Sequence, residues 1–490
     1  MDLHVSLVGR RDLSGEIYRQ LRRAMLDGRL RPGDALPPTR ELARRLGVAR
    51  TTVTVAYDRL AAEGFLTSRV GAGTFVAEHA GRARDVGRQR TPGVLRGRTV
   101  WGSLPLLTPF ARPAEYDFRT GVPDPHSFPH DTWRRLMARA LRAEGSGVYG
   151  HPAGLPALRQ AIARHIGISR GVQASWEDVT VTGGTQQALD VISRALLEPG
   201  DRVAVEDPGY PPIRFLLQSL GMRVLGVPVD RQGLVVERLP RRTRMVYVTP
   251  SHHYPTGVTM DLARRRALLA WAAGNHAAIV EDDYDSEFRF TGRPIEPVQT
   301  LDTAGRVVYV GSFSKTLLPG LRLGFLVTPP ALRDAVHKAK FVADWHSPTL
   351  GQAALARFLD DGGFARHLRR MNGVYRARHE LLVRTLHREL GEHLEVIPSA
   401  AGLHVAAVAR SATSTQIAEV ARRAWDRSVA VQELGVMALR PPGPPGLLFG
   451  YGAIPVERIV AGIERVRDCF GEVVGKASRE AGTHGALTHV

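Results

Sequence analysis

The sequence predicts a multidomain chain in which a small helical unit closed by a β-hairpin precedes a large α/β domain built on a mainly parallel sheet. Three observations carry that expectation. A chain of 490 residues is longer than one hydrophobic core normally serves. The N-terminal stretch has three short helical patterns followed by a glycine-rich hairpin. Beyond residue 115 short β-branched runs alternate with helical stretches, the pattern of parallel strands linked by crossover helices.

Composition narrows the class further. A hydrophobic fraction of 43% with 7% aromatics is enough for buried interiors, and no uncharged apolar run approaches the roughly 20 residues of a membrane span. Asp2, His4, Arg10 and Arg11 interrupt any apolar start, so no signal peptide is expected. The lone cysteine, Cys469, excludes an intramolecular disulfide and fits a reducing compartment, which predicts a cytoplasmic protein. The net charge of +18 is uneven: residues 1–100 hold 19 Arg against 10 acids, and 19 − 10 gives +9, half the excess in one fifth of the chain. An arginine-rich N-terminal segment points to a polyanionic partner.

Taken in order, Ile17, Leu21, Ala24 and Met25 recur at helical spacing up to Asp27 and Gly28, ahead of Pro32 and Gly33. Leu42, Ala43 and Leu46 form a second short amphipathic helix after Pro37 and Pro38. Gly47, Val48 and Ala49 make a tight turn, and a third helix buries Val53, Ala56, Tyr57 and Leu60 before Gly64. Its opening residues, Arg50, Thr51, Thr52 and Thr54, are polar and suit base edges and phosphates in a major groove. Phe65–Ser68 and Thr74–Ala77 read as two strands joined by Arg69, Val70, Gly71, Ala72 and Gly73, a wing whose glycines permit close approach to a sugar-phosphate strand.

On those residues, and on Leu36, Pro37, Arg40, Glu41, Leu42, Ala43, the segment from about 11 to 78 resembles the winged helix-turn-helix of the GntR family. The resemblance implies a double-stranded DNA partner, with Arg40, Arg50, Thr51, Thr52, Arg69 and Gly71 at the nucleic acid. Residues 1–78 form this domain, and 79–113, rich in Arg, Gly and Pro without sustained periodicity, read as a linker.

In the large domain the strand-like runs are Val179–Val181, Val203–Val205, Val224–Val227, Met245–Val248, Ala278–Val280, Val307–Val310 and Gly324–Val327. Helical stretches such as Gln186–Leu197, Ile213–Leu220 and Leu262–Ala273 separate several of them. A ligand site is expected beyond the carboxyl ends of such strands.

The chemistry gathers there. Of 66 basic residues only four are lysines, yet Lys315 stands in Ser312, Phe313, Ser314, Lys315 just past a buried run. Desolvation lowers the proton affinity of such an amine, and the neutral form attacks an aldehyde, which arginine cannot do. Gly183, Gly184 and Thr185 open a helix, a phosphate cradle of free N–H groups and a hydroxyl. Glu281, Asp282, Asp283, Tyr284 and Asp285 place four acids in five residues, too many for all to be core, and supply a carboxylate for a pyridine nitrogen and a phenol for a ring oxygen. Arg322 could meet a phosphate with its planar fork.

Together these residues resemble the fold type I pyridoxal phosphate enzymes, the aminotransferase superfamily, over about 115–470. The resemblance implies an α/β large domain over 114–330, a smaller α+β subdomain over 331–472, and pyridoxal 5'-phosphate as cofactor. It implies Lys315 as the Schiff-base lysine, Asp282 as the pyridine partner, Tyr284 as the phenol and Tyr210 as the stacking aromatic. Thr185, Ser312 and Arg322 would hold the phosphate, with Gly184, Ser314 and Tyr254 also at the cofactor, and Tyr149 would reach a phosphate across a dimer interface. No metal is expected. Tyr254 holds the position where aminotransferases usually carry asparagine. Their substrate-carboxylate arginine has no counterpart in Gly446–Gly452, Arg440 being nearest. Losing that bidentate clamp weakens amino-acid binding, so weak or absent transaminase activity is expected.

The two halves joined, with Ser251, His252, Tyr254, Pro255, Thr256, Gly257, Asp282 to Arg289 and Ser312 to Gly324, resemble the MocR subgroup of GntR regulators. That resemblance implies a homodimer on repeated half-sites, sensing pyridoxal phosphate or an amino acid and controlling vitamin B6 or amino-acid metabolism. A working aminotransferase with a fused DNA-binding domain is the alternative, and a repressor with a purely dimerising C-terminal domain a third. Residues 473–490, small and polar, are expected to be disordered.

Overall fold

The computed structural model describes residues 12–69, 71–78, 96–105, 114–142, 147–290 and 296–485, with side chains as far as Val474. The chain divides at Gly97 into two compact units.

The first unit is three helices and a small sheet: α1 (Leu13–Leu26), β1 (Ala35–Leu36), α2 (Thr39–Leu46), α3 (Arg50–Ala62), β2 (Leu66–Arg69) and β3 (Gly73–Val76). Asp12 caps α1, accepting from the Gly15 N–H at 3.1 Å. Gly47, at φ +63°, ends α2 in the left-handed conformation and turns the chain into α3. Ile17, Leu21, Met25, Leu42, Val53 and Leu60 are buried in one core, as their helical spacing implies. The hairpin β2–β3 gains a third strand, β1, which pairs antiparallel with β3 at Ala35–Phe75 and Leu36–Thr74. Two residues between prolines give no periodicity to read, so this strand was not legible. The linker expected over 79–113 lies outside the described residues except for 96–105, where Val100–Ser103 form a helical turn.

The second unit contains β4 (Tyr116–Asp117), β5 (Val179–Thr182), β6 (Arg202–Asp207), β7 (Arg223–Asp230), β8 (Gly233–Leu234), β9 (Thr243–Val248), β10 (Ala278–Asp283), β11 (Val307–Ser312) and β12 (Gly324–Val327). Eight of these form one sheet in the order β5-β12-β11-β10-β9-β6-β7-β8. The neighbours β7, β6, β9, β10 and β11 run parallel, as the alternating pattern predicts, and β8 pairs antiparallel with β7 at the edge. β12 lies antiparallel between β11 and β5, because the connection from Ser312 to Gly324 is too short for a helical crossover. Helices such as Thr185–Leu196 and Leu262–Asn275 cover the faces, and the central strands are buried on both sides.

The C-terminal part has its own sheet, β13 (Leu394–Val396), β14 (His404–Ala409), β17 (Gly446–Gly450) and β16 (Gln432–Glu433), in that spatial order, while β15 (Val429–Ala430) pairs with β4. The helix Gly363–Leu390 and the last helix pack on it around Phe118, Tyr375, Leu382, Phe449, Ile463 and Phe470. The segment that follows β4 toward the site crosses this sheet so closely that a Cβ on Gly450 would stand 2.1 Å from the Arg119 carbonyl oxygen. The last helix runs Ile459–Gly485, with side chains described as far as Val474. A helix docked through Ile463, Val466 and Phe470 is already nucleated, and further turns propagate from it at little cost. Among the described residues no helix is long and apolar enough to cross a membrane.

Candidate functional site

β10 and β11 end side by side, Asp282 opposite Val310, and so deliver Asp282, Tyr284, Ser312 and Lys315 to one edge of the sheet. The Lys315 ammonium donates to the Gly121 carbonyl at 2.7 Å. Burial holds this amine below its ordinary range, with Asp285 and then Asp282 pulling the other way. Gly121, at φ +74°, leaves room for it, because a Cβ there would stand 2.8 Å from Nζ.

The acidic run corrects one expectation. Glu281, Asp282, Asp283 and Asp285 are all buried, and each has its own partner, which is what makes four interior carboxyls tolerable. Glu281 accepts from the Val298 and Gln299 N–H groups, both at 2.9 Å. Asp283 accepts from Arg170 at 2.8 Å and from the Tyr309 hydroxyl at 2.6 Å. Asp285 meets His252 Nδ1 at 3.1 Å. Asp282 takes the Tyr247 hydroxyl on Oδ2 at 2.7 Å, and burial pushes its carboxyl up to about 7.

At the other end of the cleft, Gly184 at φ +93° begins the helix Thr185–Leu196. Arg322 donates to the Gly183 carbonyl and stands so close that a Cβ on Gly184 would meet its guanidinium at 2.9 Å. Ser312 Oγ accepts from the Ser314 N–H at 3.1 Å, closing the turn that carries Lys315. Tyr210 meets Tyr254 edge to face at 5.7 Å, and Tyr254 meets Tyr284 likewise at 6.2 Å. Burial raises all three phenols above their ordinary range, so they remain protonated.

Tyr149 is not brought to this cluster within one chain. It is 77% exposed and stacked on Trp345 at 4.7 Å. Arg440 is exposed, and the strand β17 is wholly buried and apolar, with Leu448 in a cluster against which Tyr254 packs. Residues that sequence reasoning missed are Tyr247, hidden in an apolar strand with no local signal, and Thr120, whose hydroxyl meets the Tyr254 hydroxyl at 3.2 Å and donates to Gln432 at 2.6 Å. His252 stood in a motif already quoted, and its polar ring beside Pro255–Gly257 was the available signal.

In the N-terminal unit, Arg40, Arg50, Thr51, Arg69 and Gly71 are exposed and Thr52 half-exposed. Arg50 bridges to Thr39 Oγ1 at 3.3 Å, tying the starts of α2 and α3. The Arg69 guanidinium lies over the Phe75 ring at 5.3 Å, and Val70 lies outside the described residues.

Pyridoxal phosphate fits the cleft on an observation internal to it. Oδ1 of Asp282 is buried without a hydrogen-bond partner, a costly state that a protonated ring nitrogen would relieve. The neutral-prone amine of Lys315, the helix start at Thr185 and the guanidinium of Arg322 supply the remaining chemistry for an aldehyde and a phosphate.

Fold and cleft thus define a winged-helix DNA-binding unit joined to an aminotransferase-like domain. Residues 13–76 match the model of bacterial regulatory proteins of the gntR family, and residues 117–447 match aminotransferase class I and II. The chain is 38% identical over 462 residues to the probable rhizopine catabolism regulatory protein MocR of Rhizobium meliloti, covering 93% of each. It is 31% identical over 442 residues to the pyridoxine biosynthesis transcriptional regulator PdxR of Corynebacterium glutamicum, covering 89% of this chain and 91% of that one. Among solved structures, LysN, the alpha-aminoadipate aminotransferase of Thermus thermophilus complexed with N-(5'-phosphopyridoxyl)-L-leucine, superposes with a TM-score of 0.68 at 29% identity, over 73% of this chain and 92% of that one. The chain belongs to the GntR family of transcriptional regulators, in the MocR-type branch that carries an aminotransferase class I and II domain. Its cofactor is pyridoxal phosphate.

Proposed function

We propose that the protein is a cytoplasmic homodimer whose affinity for its operator is set by pyridoxal phosphate captured at Lys315, with or without an amino acid that then displaces the lysine. The observation that carries this reading is that one edge of the sheet holds both a half-buried amine of lowered proton affinity, Lys315, and a buried carboxylate with one unsatisfied oxygen, Asp282. When bound, the cofactor supplies a carbonyl for covalent capture by an amine. The chain's part is to hold it: Asp282 at the ring nitrogen, Tyr210 against the ring face, Tyr284 at the ring oxygen, and Thr185, Ser312 and Arg322 at the phosphate, with Gly184, Ser314 and Tyr254 closing the cleft. In the N-terminal unit Arg40, Arg50, Thr51, Thr52, Arg69 and Gly71 meet DNA.

The buried, apolar strand β17, with Leu448 in a cluster against which Tyr254 packs and no arginine in it, favours the cofactor itself as the signal and a role in vitamin B6 metabolism. The relative named for pyridoxine biosynthesis supports the same direction. An exposed apolar patch, with Tyr149 stacked on Trp345 and Trp345 meeting Phe341 at 5.0 Å, supports pairing of two copies. A ligand moves operator affinity only by binding two states of the dimer unequally, typically by about 1–3 kcal/mol. The test is direct: the purified protein with pyridoxal phosphate absorbs in the visible, Lys315→Ala does not, and operator affinity differs with and without cofactor. Equal affinity in the two conditions excludes the sensing role, and steady turnover of an amino donor and keto acid favours a working aminotransferase.

A further inference from the structure

Of the four lysines in this arginine-rich chain, Lys340 has no exposed surface. Its ammonium donates to one oxygen of Asp344 and to Ser347 Oγ at 3.1 Å. An ammonium cannot accept, so Ser347 accepts there and keeps its own proton, which goes to Oε1 of Gln187 at 3.5 Å. Gln187 Nε2 donates to the other oxygen of Asp344 at 2.7 Å and closes a ring of four side chains.

The ring admits one orientation of the Gln187 amide. As it stands, Oε1 also takes the Gly183 N–H at 2.6 Å. Turned over, the amide would set its NH2 against that N–H and its oxygen against the Asp344 carboxylate, donor on donor and acceptor on acceptor.

Closure of the ring also explains the backbone after the helix Arg333–Asp344. Trp345 has φ +63° and ψ −67°, and the His346 N–H reaches the Asp344 carbonyl at 2.7 Å. This is a γ-turn of the strained hand, which residues other than glycine rarely adopt. In a continued helix Ser347 would lie about 10 Å along the axis from Lys340. The turn instead returns its hydroxyl to the ammonium.

The ring acts on the start of the helix Thr185–Leu196 through Gly183, whose N–H is held by Gln187 and whose carbonyl is held by Arg322. The Gly184 carbonyl accepts from Thr182 Oγ1 at 3.1 Å. With the backbone fixed on both sides of Gly184, the N–H groups of Gly184 and Thr185 are left for an anion. We propose that Gln187, its amide oriented by Asp344, Ser347 and Lys340, is a positioning residue for the phosphate end of the cofactor, a role that rests on the reading of Thr185, Ser312 and Arg322 as the residues that hold the phosphate.

The test compares pyridoxal phosphate with pyridoxal, which has the aldehyde and no phosphate, by titration of the visible absorption in the full-length protein. Gln187→Met should weaken pyridoxal phosphate about tenfold and leave pyridoxal unchanged, so that the ratio of the two affinities falls about tenfold. Lys340→Met, which leaves Gln187 in place but takes away the ion that orients its partners, should lower the ratio about threefold. A merely structural lesion weakens both vitamers alike, so an unchanged ratio in Gln187→Met overturns the proposal, whether or not Lys340→Met folds. A folded Lys340→Met with the wild-type ratio overturns the part given to Lys340. Arg322→Met in the same assay separates the two readings. If it lowers the ratio and Gln187→Met does not, the role of Gln187 alone falls; if neither lowers it, the phosphate site falls and the proposal with it.

Discussion

Tyr247 donates its phenol proton to Oδ2 of Asp282 at 2.7 Å and leaves Oδ1 of the same carboxylate buried and without a partner. The bond fixes the carboxylate's rotation, so the free oxygen is presented rather than found by chance. Asp282→Asn should therefore weaken cofactor retention by about ten- to a hundredfold, the loss of one charge-assisted hydrogen bond. Tyr247→Phe should weaken it less, since the charge stays. Equilibrium dialysis against pyridoxal phosphate with circular dichroism as the folding control reads both.

Gly184 has φ +93°, and a Cβ on it would stand 2.9 Å from the Arg322 guanidinium. Gly184→Ala should cost about 1–3 kcal/mol of backbone strain and displace Arg322, reducing cofactor affinity about tenfold or more. Gly274→Ala is the control, because nothing lies within 4 Å of its Cβ position and it sits in the helix Leu262–Asn275. It should leave affinity unchanged and the melting temperature equal or higher.

Burial pushes the Glu206 carboxyl up to about 8, although it accepts from the Thr249 N–H and hydroxyl at 3.0 and 2.6 Å. The folded protein thus keeps a proton that the unfolded chain releases at about pH 4.3. That contribution to stability is full below the unfolded value and lost as pH rises through about 8. Glu281 and Glu287, raised to about 7 and about 8, act in the same direction. Glu206→Gln keeps the accepting oxygen and removes the titration. Its melting temperature relative to wild type should climb between about pH 5 and about pH 8 in cofactor-free protein, and a flat difference refutes the assignment.

In the N-terminal unit, Arg50→Ala should weaken operator binding and lower the slope of log affinity against log salt by about one, as loss of one phosphate contact does. Leu60→Ala empties a fully buried site in α3 and should cost about 2–5 kcal/mol of stability. Fluorescence anisotropy across a salt series and thermal melts separate the two effects.

Much of the architecture was legible because its signals are local. Seven β-branched runs and their turn residues located the mainly parallel sheet, and Gly47 with the polar start of α3 located the turn between α2 and α3. The antiparallel setting of β12 was not legible, since strand direction depends on how the chain returns rather than on which residues alternate. The buried state of Glu281, Asp283 and Asp285 was misjudged for a related reason: their partners Val298, Arg170 and His252 lie far off in sequence.

The residue types of the candidate cleft, the lysine in an arginine-dominated chain, the glycine pair before a helix and the acidic run after a strand, were determined by the sequence alone, because chemistry and turn geometry are properties of short segments. Which atoms face one another was decided only by the tertiary structure. Tyr247 against Asp282, Gly121 against Lys315 and His252 between Asp285 and Ser399 are contacts across 35, 194, 33 and 147 positions of chain. Hydrogen-bond direction and burial, and hence charge, exist only once those distant segments are packed together.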